Sequence, residues 1–68
     1  MVKIYNSYTK KVEAKFNNYD EAIQWVGSKA QQMNYGICRV WEVDGFRYWD
    51  CGPVTYKIKV KDIPAERR

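Results

Sequence analysis

Cys38 and Cys51 are the only thiols in this chain, and there is no histidine to activate either of them. A thiol attacks as its thiolate, which an imidazole or a helix start must stabilise, and neither cysteine has one nearby. Two cysteines also fall short of a zinc site, which takes a full tetrahedral set of Cys or His ligands. Acid–base chemistry would fall to the carboxylates, but those in the body of the chain have local employment. Asp20 and Glu21 sit where a helix begins, Asp44 in a turn, and Glu42 and Asp50 opposite arginines. The glycines are scattered rather than gathered into a phosphate-cradling loop. Catalysis is not expected, nor any cofactor, metal or small-molecule substrate.

The residue types that are concentrated here are those of binding surfaces. Arg39, Trp41, Arg47, Tyr48 and Trp49 crowd one stretch, and Trp, Tyr and Arg dominate contact hot spots. Lys57 and Lys59 follow in an alternating run. The net charge of +4 leans toward acidic partners, although eight carboxylates are interspersed.

A hairpin positions these residues. Asp44-Gly45 lies between Ile37–Val43 and Phe46–Cys51, runs rich in aromatic and β-branched residues, and both centres of a type I′ turn need positive φ. A two-residue loop pairs Val43 with Phe46, Glu42 with Arg47, Trp41 with Tyr48, Val40 with Trp49, Arg39 with Asp50 and Cys38 with Cys51. Two pairs join opposite charges and one stacks rings, each worth roughly 0.2–1 kcal/mol, and a one-residue slip would lose them all. Cys38 and Cys51 then face each other, and two small buried thiols are favoured over a disulfide.

Upstream, Val2 and Ile4 alternate with Lys3 and Tyr5, and Val12, Ala14 and Phe16 alternate with charged residues, which predicts two strands. Asn18 with Glu21 forms a capping-box pattern opening a helix. Its apolar stripe is Tyr19, Ala22, Ile23, Val26, Ala30 and Met33, with Trp25 on the flank and Gly36 placed for the left-handed cap. Gly27, costly in a helix, suggests close approach to the sheet. After Gly52-Pro53 a last strand runs from Val54 to Lys61, with Tyr56 and Ile58 inward and Lys57, Lys59 and Lys61 outward. That lysine row would guard an edge strand. The expectation is an α+β domain over 1–61, ββαβββ, with a frayed tail at 62–68 and one helix on one face of an antiparallel sheet.

Such a chain is short, burying only about 60% of its unfolded surface, so the 16% aromatic content has to supply much of the core. No apolar run reaches the ~20 residues of a membrane span, and the amino end reads as a strand rather than a signal peptide, so cytoplasmic residence without membrane contact is expected.

Two hairpin faces compete for the core. One holds Ile37, Trp41, Val43, Phe46 and Tyr48; the other holds Cys38, Val40, Trp49 and Cys51. Apolar area favours burying the first. Cysteine burial and a tight Gly52-Pro53 turn, which puts Trp49 beside Tyr56, favour the second. The balance tips slightly to the first. Either way the face away from the helix keeps a tryptophan, Trp49 or Trp41, which suggests a contact surface.

A small non-catalytic binding module is therefore expected, contacting another protein or itself through Trp41, Trp49, Tyr48, Arg39 and Arg47. A homodimer would join two open faces or two edge strands. Single-stranded nucleic acid is the alternative partner, with Lys57 and Lys59 on phosphates and a ring on a base. In general style, tiny and rich in Lys, Tyr and Asn, the chain resembles the accessory proteins of bacteriophages and prophages, a resemblance that assigns no residue a role.

Overall fold

The computed structural model describes residues 1–64. Five strands and one helix follow in the expected order: β1 (Val2–Asn6), β2 (Val12–Phe16), α1 (Tyr19–Gln32), β3 (Arg39–Val43), β4 (Phe46–Asp50) and β5 (Thr55–Lys59). They form one antiparallel sheet, ordered β2-β1-β5-β4-β3, with α1 carrying the chain from one edge to the other. The protein is α+β, as its periodicities imply.

The β3–β4 hairpin has the expected register from Arg39–Asp50 through Val43–Phe46. Asp44 and Gly45 both take positive φ, at 54° and 81°. The rungs stop at Arg39, so Cys38 and Cys51 do not form one. Both are free thiols, and Cys38 is exposed rather than buried.

Asn18 caps α1 by accepting a hydrogen bond from the Glu21 N–H at 2.9 Å. The other end closes in a Schellman arrangement: Asn34 N–H donates to Gln31 C=O at 2.9 Å and Tyr35 N–H to Ala30 C=O at 3.1 Å. Asn34, at φ 63°, is the left-handed residue of that cap, not Gly36. Gly27 does not touch the sheet, since a Cβ there would meet nothing within 4 Å.

The helix covers the second hairpin face, not the first. Trp49 is 3% exposed and Cys51 fully buried, together with Val2, Ile4, Ala22, Val26, Ala30, Tyr56 and Ile58. The Gly52-Pro53 turn settles this, because Cys51 N–H reaches Val54 C=O at 2.9 Å and Trp49 falls opposite Tyr56. Two alanines and a valine let α1 approach the sheet closely, and the large rings come from the strands. Burying a ring removes ~150–250 Å² from water, roughly 4–6 kcal/mol before entropy is counted. Trp25 widens the helix stripe, its ring 5.1 Å from that of Tyr56.

Three further positions differ from the sequence pattern. A bulge between the Ile4 and Tyr5 rungs puts Val12 opposite Tyr5, off the inner face. β5 ends at Lys59, so Lys61 lies in a 3₁₀ turn (Val60–Asp62) and leaves the lysine row. Ile63 packs against the core, so that end of the chain is not frayed at 62–63, while residues 65–68 of the expected tail lie outside the described residues. Most consequentially, β5 is the central strand, so its lysines guard no edge.

Two glycines give opposite expectations. Gly27→Ala should stabilise by ~0.5–1 kcal/mol, because the helix loses its most entropically costly residue without a clash. Gly52→Ala should destabilise by ~1–2 kcal/mol, because Gly52 sits at φ +87° with the Tyr35 ring 2.5 Å from the site of a Cβ. Urea unfolding of both variants measures the two changes.

Candidate functional site

The sheet face away from α1 is built in rows across the strands. Tyr5 on β1 pairs with Lys57 on β5, Lys57 with Tyr48 on β4, and Tyr48 with Trp41 on β3. One row on, Lys59 pairs with Phe46 and Phe46 with Val43, while Lys3 and Lys15 pair on β1 and β2. On the other side Thr55 pairs with Asp50 and Asp50 with Arg39. Strand alternation directs all of these away from the helix.

Their geometry interleaves rings and cations. Trp41 and Tyr48 stack with centroids 5.3 Å apart and planes 2° from parallel. Arg39 Cζ stands 5.2 Å from the Trp41 ring centre. Lys57 Nζ lies 4.2 Å from the Phe46 ring centre and 5.7 Å from that of Tyr48. Tyr5 meets Phe46 edge-on at 5.9 Å, and Lys59 Nζ lies 6.0 Å from the Tyr5 centre. Each such cation–ring contact is worth about 0.5–1 kcal/mol at a solvent-facing site, which offsets the repulsion of neighbouring lysines. The strand residues of this face carry five cations (Lys3, Lys15, Arg39, Lys57, Lys59) against one carboxylate, Asp50.

Five of the expected binding residues are thus brought together: Arg39, Trp41, Tyr48, Lys57 and Lys59. Trp49 and Arg47 are not. Alternation turns both to the helix side, where Trp49 fills the core. Arg47 seals the core's rim, its Nε donating to Glu42 Oε2 at 2.7 Å and its Nη1 to the Tyr19 hydroxyl at 3.4 Å. The Glu42 hydrogen bond, the largest influence on it, holds the guanidinium pKa above its ordinary value. Arg47 is therefore a structural cation. Tyr5 and Phe46 join the ring cluster although the sequence did not single them out for binding. Their place on alternate strand positions was visible, but the adjacency of β1 and β5 was not.

Elsewhere, a shallow groove on the helix side is lined by Phe16, Glu21, Gln24, Trp25 and Ser28 and carries a carboxylate but no cation. Among the described residues no three His, Cys, Asp or Glu side chains gather as a metal site, and no helix is long and apolar enough to cross a membrane. The architecture is that of a two-layer α+β domain with one helix-covered face and one open, basic, ring-bearing face. Comparison of the chain with protein-family models, with curated proteins and with solved structures returns no match.

The two thiols should behave differently. Burial, the largest cause, pushes the Cys51 thiol above its ordinary pKa, with the Asp50 charge adding to it. A disulfide reagent at neutral pH should titrate one thiol per native chain, lost in Cys38→Ser, and two after denaturation. Two fast native thiols would contradict the burial of Cys51.

Proposed function

We propose that this chain is a non-catalytic binding module whose open sheet face holds single-stranded nucleic acid. The observation that carries this reading is the placement of Lys57 and Lys59 on the central strand, between the rings of Tyr5, Phe46 and Tyr48. Cations on an edge strand are explained by protection against stray pairing. Cations in the middle of a sheet face are not. A polyanion with flat bases satisfies both halves of such a surface: phosphates take the ammonium groups and bases stack on the rings. Docking two such faces together would instead oppose like charges across the two-fold axis. A cytoplasmic setting, and an accessory role of the kind small phage and prophage proteins fill, accord with this reading.

A protein partner at the same face is the second reading. It is favoured by the Arg39–Trp41–Tyr48 stack, which has the composition of a contact hot spot.

Titration of random single-stranded oligonucleotides, followed by tryptophan fluorescence, separates the two. Five neutralised phosphates would give a slope of log K against log salt of about −3.5. The double variant Lys57→Glu, Lys59→Glu should abolish binding, Trp41→Ala should weaken it by roughly 1–3 kcal/mol, and Lys29→Glu on the helix should change it little. Absence of binding at low salt would remove the nucleic-acid reading and leave the protein one.

A further inference from the structure

The two edges of the sheet are treated differently. β2 carries the bulge, the charged residues Lys11, Glu13 and Lys15, and a left-handed Lys10 at its entry, all devices that discourage a neighbouring chain from pairing. β3 keeps a regular register with β4 from Arg39 to Val43, and its two charged residues, Arg39 and Glu42, are of opposite sign. Val40 and Val43 along it are 52% and 46% exposed, and Ile37 and Tyr35 in the segment before it are 41% and 60% exposed. The two-residue turn makes Val43 exchange both hydrogen bonds with Phe46, so by alternation Trp41 and Arg39 also bond inward to β4. The N–H and C=O groups of Val40 and Glu42 are then the ones directed outward.

We propose that the β3 edge pairs with the β3 edge of a second copy, antiparallel about a two-fold axis at Val40, to make one continuous ten-stranded sheet. Continuity of the faces requires paired residues to lie on the same side, which leaves few registers. An axis at Arg39 sets Arg39 against its own copy, a like-charge pair. An axis at Trp41 sets Val40 against Glu42. With the axis at Val40, Val40 meets Val40 and Arg39 meets Trp41, so the most exposed apolar residue of the strand finds an apolar mate and the cation finds a ring. The edge itself is charge-balanced, with Arg39 on one side and Glu42 on the other, so it lacks the charge repulsion of the basic face. Pairing would also join two basic faces side by side, giving ten cations along one surface.

A single strand edge buries less than the ~1,600 Å² of a standard interface, so the dimer should form at micromolar rather than nanomolar concentration. In sedimentation velocity from low micromolar to near-millimolar protein, the mass should climb from 8.1 kDa toward twice that value. Val40→Lys, which places two ammonium groups on the axis, should hold the protein monomeric while its dilute-solution melting curve stays that of the parent. Register is read by oxidation. Val40→Cys in a Cys38→Ser background should form a disulfide-linked dimer, since an on-axis hydrogen-bonded pair has Cα atoms about 5.5 Å apart. The parent should not, because its two Cys38 residues lie ~13 Å apart along the strands. A monomer at every concentration, or a dimer indifferent to Val40→Lys, would overturn the proposal. A dimer linked readily through Cys38 would overturn this register. Short oligonucleotides titrated against the Val40→Lys monomer keep the outcome separate from that of nucleic-acid binding, which does not require the second copy.

Discussion

The rung that sets Trp49 against Tyr56 beneath α1 is the constraint on which the remainder of this structure depends. Strand side chains alternate with a period of two, so fixing one rung fixes both faces at once. Trp49 and Tyr56 inward means Tyr48 and Lys57 outward, and from them Trp41, Tyr5, Phe46 and Lys59 by pairing. The helix follows the same logic. Ala22, Val26 and Ala30 are small because the strands already bring the large rings, and a bulkier helix face would hold α1 off the sheet.

What could be read from the residues alone was whatever nearby residues decide together. The Asp44-Gly45 turn, two charge pairs and one stacked pair all demand one register, and the structure has it. The Asn18 cap is similarly local. The buried face differs from the expectation because apolar area on the hairpin alone does not decide it. Trp41, Phe46 and Tyr48 outweigh Trp49 and Cys51 in isolation, yet Gly52-Pro53 places Trp49 on one face with Tyr56 and Ile58, and that face also holds Val2 and Ile4 of β1.

Strand order, by contrast, has no local signature. β5 is central because α1 carries the chain from β2 to the far edge, so the last strand returns into the gap beside β1. Nothing in Thr55–Lys59 distinguishes a central strand from an edge one, and its lysines read naturally as edge protection. The bulge that turns Val12 over and the open space around Gly27 are equally silent in sequence, since both depend on what a neighbouring element does. The composition of the open face therefore became legible only once the neighbours of β5 were known.

That composition has a physical consequence. Lysines on a central strand cannot swing out past an edge, so their charges stay over the sheet and repel one another. Here the rings of Phe46, Tyr48 and Tyr5 take up the ammonium groups, and the Trp41–Tyr48 stack is closed by Arg39. Each contact is worth about 0.5–1 kcal/mol. On this face cations rather than apolar neighbours shield the aromatic surface. The same shielding explains how so many rings can face away from α1 without making the free surface a hydrophobic one.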